Sequence, residues 1–102
     1  MITHMVLLKI RSDVPAEQVD AVFSALADLG DRVPGILSFS GGPYSSDEGL
    51  QGGFTHGFCM TFPDAAARDA YLPHPAHEVV KAMVLEVLDG GLAGVVAFDY
   101  ES

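Results

Sequence analysis

Residues 2–11 read Ile2-Thr3-His4-Met5-Val6-Leu7-Leu8-Lys9-Ile10-Arg11, and this stretch decides the fold. Its content of Val, Leu and Ile predicts a strand. One parity carries His4, Val6, Leu8 and Ile10, and the other carries Thr3, Met5, Leu7 and Lys9. Successive side chains of a strand point to opposite faces, so both faces here are largely apolar and both need cover. Helices of the same chain supply one cover. A chain of 102 residues builds one domain around one core and has no second module for the other face. A second copy of the chain is the natural partner.

Composition points the same way. Hydrophobic residues make up 49% of the chain and charged residues 19%, which is more apolar surface than a small monomer hides. Fourteen acidic side chains oppose five basic ones, for a formal charge of −9. The acids are scattered, and no basic stripe or basic amphipathic helix accompanies them, so nucleic acid and anionic membrane are excluded as partners. Cys59 is the single cysteine. It rules out an internal disulfide and a cysteine-rich zinc site, and inside a strand-like run it reads as a small buried side chain. Met1-Ile2-Thr3-His4 leads straight into the first strand without a basic and apolar leader, which reads as a cytoplasmic protein. No apolar run is long enough to span a bilayer.

Further along, Ser12-Asp13-Val14-Pro15 predicts a helix entry, with Ser12 or Asp13 as cap and Pro15 in the first turn. Val19, Val22, Phe23, Leu26, Leu29 and Val33 then recur at spacings of three and four, and Pro34-Gly35 ends the helix. A second strand is predicted over residues 36–40, interrupted by Gly41-Gly42-Pro43. Residues 44–53 lack periodicity and read as an exposed loop, their glycines being turn glycines without a phosphate-binding pattern. Residues 54–62 alternate sharply, with Phe54, His56, Phe58, Met60 and Phe62 on the parity that faces a core. Pro63-Asp64 opens a short helix that closes at Leu72. A third helix is predicted over 76–89, ended by Gly90-Gly91, and a last strand over 92–100. The order β-α-β-β-α-α-β predicts an α+β, ferredoxin-like antiparallel sheet with helices on one face and a twin on the other, a homodimer through the helix-free face.

The chemistry concentrates in Ala70-Tyr71-Leu72-Pro73-His74-Pro75-Ala76-His77, where two prolines restrict the backbone. His77 falls in the first turn of the third helix and points back toward Tyr71. His4 and His56 lie on the larger-residue parity of their strands, so both are expected under the helices on the same side as His77. Three imidazoles and a phenol within an apolar layer describe a small-molecule pocket. Each also reads as structure: a strand histidine hydrogen-bonded in a core, or a helix-end tyrosine bonding its hydroxyl to backbone. As chemistry, His77 removes a proton between two carbonyls and Tyr71 stabilises the oxyanion. The wall of Val6, Leu8, Val22, Phe23, Leu26, Phe58 and Leu72 folds a small apolar or polyketide-like ligand. His74 and His77 have a metal-like spacing, but no carboxylate or cysteine completes a set, so no metal and no cofactor is expected.

Four segments together carry a family resemblance: the His-x-Val strand start at His4, the Val33-Pro34-Gly35-Ile36-Leu37-Ser38-Phe39 helix end, Phe54-Thr55-His56, and Tyr71-Leu72-Pro73-His74-Pro75-Ala76-His77. In this order they resemble the stress-responsive A/B barrel (Dabb) domain over nearly the whole chain. The resemblance implies a dimeric α+β barrel. It also implies a choice of roles, since members include stress-associated proteins without assigned activity and a cofactor-free polyketide cyclase acting by intramolecular aldol condensation. In that cyclase a tyrosine and a histidine occupy the positions of Tyr71 and His77, and two pocket histidines match His4 and His56. Leu26, Pro73, Val80 and Ala82 differ from its lining, so its substrate is not carried over. A haem-handling monooxygenase of the wider dimeric-barrel type is the remaining alternative, with His4, His56 and His77 as candidate axial ligands.

Overall fold

The alternation of β1 (Ile2–Leu8) does organise the structure, a computed structural model that describes residues 1–102. β1 runs in the middle of a four-stranded sheet, between β3 (His56–Phe62) and β4 (Val95–Glu101), with β2 (Ser38–Pro43) outside β3. All neighbouring strands are antiparallel. The register sets His4 opposite Met60 and Asp99, and Leu8 opposite His56 and Val95. Ile2, His4, Val6 and Leu8 are all buried on the inward parity. Above them lie α1 (Ala16–Arg32), α2 (Ala65–Tyr71) and α3 (Pro75–Val87). Val22, Leu26 and Leu29 of α1 meet Phe58, Met60 and Phe62 of β3 in one core. The architecture is the ferredoxin-like α+β sandwich that the sequence predicts.

Several boundaries differ from the sequence reading, each for a local reason. The β1 ladder stops at Leu8 rather than at residue 11. Beyond it, Lys9 N–H donates to Gly94 O at 2.7 Å, Arg11 N–H donates to Val87 O at 2.9 Å, and Ile10 bridges Leu88, so this segment pairs with the end of α3. A Cβ on Gly94 would lie 2.5 Å from the Asp89 carbonyl oxygen, and only glycine permits that approach. Leu92 therefore sits in a 3-10 turn, Gly91–Gly94, ahead of β4 rather than inside it. β2 begins at Ser38 and runs through Gly41 and Gly42 instead of breaking there. A Cβ on Gly41 would meet Phe58 Cβ at 2.8 Å and Phe23 Cε1 at 3.0 Å; the glycine makes room for a ring rather than ending a strand. Pro43 closes this edge strand, where the missing N–H is harmless. Neither Ser12 nor Asp13 caps α1, whose N-cap position is Pro15 without a side-chain bond. Asp13 instead accepts from Arg11 Nε at 3.1 Å.

The helix-free face of the sheet is apolar and open in the single chain. Met5, Leu7, Val96, Phe98 and Tyr100 are 36%, 41%, 43%, 63% and 46% exposed. They form one patch because Met5 pairs across the strands with Phe98, Leu7 with Val96, and Thr3 with Tyr100. Cys59, opposite Met5, is half-buried on this face rather than buried in the core.

Candidate functional site

The turn between α2 and α3 builds the site. Asp64 starts α2 by accepting the Ala67 N–H at 2.9 Å, which directs the helix so that Tyr71 ends it inside the core, 1% exposed. Pro73 then stops the helix and Pro75 occupies the first position of α3. His74 is the N-cap of α3, its Nδ1 accepting the Ala76 N–H at 3.0 Å. This commits His74 to the turn and removes it from the metal pairing with His77 considered above. Among the His, Cys, Asp and Glu side chains, no three converge on a common point.

His77 lies three residues beyond that cap in α3, and its ring packs on that of Tyr71 with centroids 4.3 Å apart and planes at 36°. Its Nδ1 lies 2.8 Å from the carbonyl oxygen of Leu72. A carbonyl only accepts, so Nδ1 carries the hydrogen and the neutral ring keeps its lone pair on Nε2. Tyr71 packs also against Phe62 and His4. Burial disfavours the phenolate and pushes this phenol up to about 12; like any phenol it is a hydrogen-bond donor at neutral pH.

His4 is held from its other side. Its Nδ1 is 2.6 Å from Asp99 Oδ1, and Arg68 Nη1 donates to Asp99 Oδ2 at 2.8 Å. Burial pushes the Asp99 carboxyl upward, but the hydrogen bonds from His4 and Arg68 outweigh it and hold the group below its usual value. An ionised carboxylate is an acceptor only, so His4 donates to it from Nδ1.

His4, Tyr71 and His77 share a cavity of about 270 Å³ between the sheet and α3. Of the wall expected from the sequence, Val6, Leu8, Leu26, Phe58 and Leu72 line it. His56, Val22 and Phe23 do not. Parity gives the face of a strand but not the level along it: His56 sits opposite Leu8, four residues from the level of His4, or about 13 Å along the strand. There it bonds Thr55 Oγ1 through Nδ1 at 2.8 Å and packs on Phe23 at 5.6 Å between centroids. Burial lowers its pKa. It faces a different hollow beside Val19, Asp20 and Gly41, while Val22 is sealed in the core. The sequence reading missed Lys81, Val84 and Leu85 of α3, which line the cavity with Val95 and Ala97 of β4. Their spacing from His77 along one helix face is the signal that finds Lys81 and Val84. Asp99 and Arg68 carried no separate signal, because their pairing depends on strand register.

The model of the family described as "Stress responsive A/B Barrel Domain" matches residues 2–102. A stress-response A/B barrel domain-containing protein of Arabidopsis thaliana is 32% identical over 87 residues, covering 84% of this chain and 76% of the relative. Olivetolic acid cyclase of Cannabis sativa is 24% identical over 76 residues, covering 74% and 75%. Among solved structures, a dimeric ferredoxin-like protein of unknown function from Jannaschia superposes with a TM-score of 0.89 at 29% identity, covering 99% of this chain and 98% of the other.

Proposed function

Since this chain belongs to the stress responsive A/B barrel domain family, we propose that it is a homodimer whose protomers each hold a small apolar molecule between sheet and α3, with His77 and Tyr71 set for cofactor-independent proton transfer on it. One observation carries the reading: the Nδ1–H of His77 is committed to the Leu72 carbonyl, which leaves Nε2 of the neutral ring as a base, and that ring packs on the Tyr71 phenol. In such a site Nε2 of His77 takes a proton from a carbon beside a carbonyl. The Tyr71 hydroxyl donates to the oxygen on which the negative charge collects. His4, fixed by Asp99, supplies a further polar contact, and the apolar wall packs against the body of the ligand. A cavity of about 270 Å³ lies below the ~300–1,000 Å³ of drug-sized sites, which favours a compact ligand and disfavours a haem. The likeness to olivetolic acid cyclase supports the reaction class. No helix is long and apolar enough to cross a membrane.

A homodimer agrees with the dimeric state of the Jannaschia protein, and the apolar patch around Phe98 supports the helix-free face as its interface. The test of the chemistry is deuterium exchange at the central carbon of 1-phenylbutane-1,3-dione, followed by NMR against the buffer rate. Wild type accelerates exchange, His77→Ala abolishes the acceleration, and Tyr71→Phe reduces it by roughly a hundredfold to a thousandfold. Exchange at the buffer rate with wild type, or full acceleration in His77→Ala, rejects proton transfer at this site.

A further inference from the structure

Building on the small-molecule reading of the cavity, we propose that its ligands carry a carboxylate at the mouth, recognised by Lys81. Lys81 follows His77 by four residues on α3, which places the two on one helix face about 6 Å apart. It is the single cation lining the cavity, and no Asp or Glu lines it. The mouth is marked by Leu72, Leu85 and Leu92, lining residues that are nonetheless exposed, Leu92 to 71%.

A chain with 14 acidic and five basic side chains repels anions in general, so the position of each cation matters. The other four are placed elsewhere. Arg68 is bonded to Asp99 and Asp69, and Arg11 to Asp13 and the Glu86 carbonyl. Lys9 lies over the Phe54 ring at 4.9 Å, and Arg32 closes α1 in its last turn. Lys81 has only Glu78, at 3.9 Å with both side chains about half exposed. A contact of that kind contributes little and yields readily to a better placed anion. The ligand class that fits is an amphiphilic acid: an apolar body within the leucine and valine wall, and a carboxylate one helical turn from His77. The carbon presented to His77 then lies a few bonds from that carboxylate.

The experiment compares 4-phenylbutyrate with the uncharged 4-phenylbutyramide by calorimetry at low ionic strength, using wild type, Lys81→Met, Lys81→Glu and the cavity-filling Ala97→Phe. Wild type prefers the acid by about fivefold, a preference that shrinks with salt. Lys81→Met loses the preference for the acid, Lys81→Glu prefers the amide, and Ala97→Phe binds neither. Equal affinities in wild type, or an acid preference that survives in Lys81→Met, overturn the carboxylate assignment and leave the cavity reading standing. Failure of both probes to bind wild type, or undiminished binding to Ala97→Phe, overturns the cavity reading and the assignment with it.

Discussion

Replacing Phe98 with alanine should dissociate the dimer. Phe98 is 63% exposed in the single chain, and a phenylalanine presents about 200 Å², so its open part is about 125 Å². At ~25 cal/mol per Å² this corresponds to about 3 kcal/mol per protomer. A symmetric interface uses each residue twice, which doubles the figure to about 6 kcal/mol, or roughly four decades in the dimer Kd. Ordering of side chains absorbs part of that, so the expected weakening is about two to four decades. Sedimentation velocity over a dilution series reads it directly. Val79→Ala is the control, because Val79 is 64% exposed but lies on α3 away from the sheet face, and its dimer should be unchanged. A wild-type monomer, or a Phe98→Ala dimer as tight as wild type, would refute the argument from two-sided strands.

The Tyr71 phenol is raised to about 12 from an unfolded value near ~10, so its contribution to stability is full below pH ~10 and is lost as pH rises from there through about 12. Ultraviolet titration should show one tyrosine ionising at about 12 that disappears in Tyr71→Phe, and its persistence in that variant would contradict the burial argument. Gly41→Ala should cost about 1–3 kcal/mol by overpacking against Phe23 and Phe58, measured by urea unfolding. Gly42→Ala, which meets nothing within 4 Å, should change stability far less, and equal effects would remove the role given to the Gly41 contact.

The sheet and its two faces were legible in the sequence because strand parity is a local property: His4, Val6 and Leu8 announce one face, and Met5 and Leu7 the other. The turn at Pro73-His74-Pro75 was legible for the same reason, since proline acts on its immediate neighbours. What depended on register was not. His56 shares the inward parity with His4 but lies at another level, opposite Leu8, which is why it leaves the cluster that parity alone suggests. Asp99 reaches His4 only because β4 pairs with β1 in one register, and Arg68 reaches Asp99 only through the placing of α2. Gly41 reads as a strand interruption and Gly94 as part of the last strand, whereas their contacts show close approaches, of Gly41 to Phe23 and Phe58 and of Gly94 to the Asp89 carbonyl. Lys81 was visible as a helix residue, but its place at a cavity mouth required the position of Leu92 beyond the helix end.

The most direct measurement on the site is the tautomer of His77, read from long-range ¹H–¹⁵N correlations of the imidazole at a pH where it is neutral, with His77→Ala supplying the assignment. The bond from Nδ1 to the Leu72 carbonyl predicts the Nδ1–H form, with Nε2 unprotonated and its resonance shifted when 4-phenylbutyramide enters the cavity. A ring found as the Nε2–H form, or one whose Nε2 signal is unmoved by a bound ligand, would contradict the account of His77 as the base of this site.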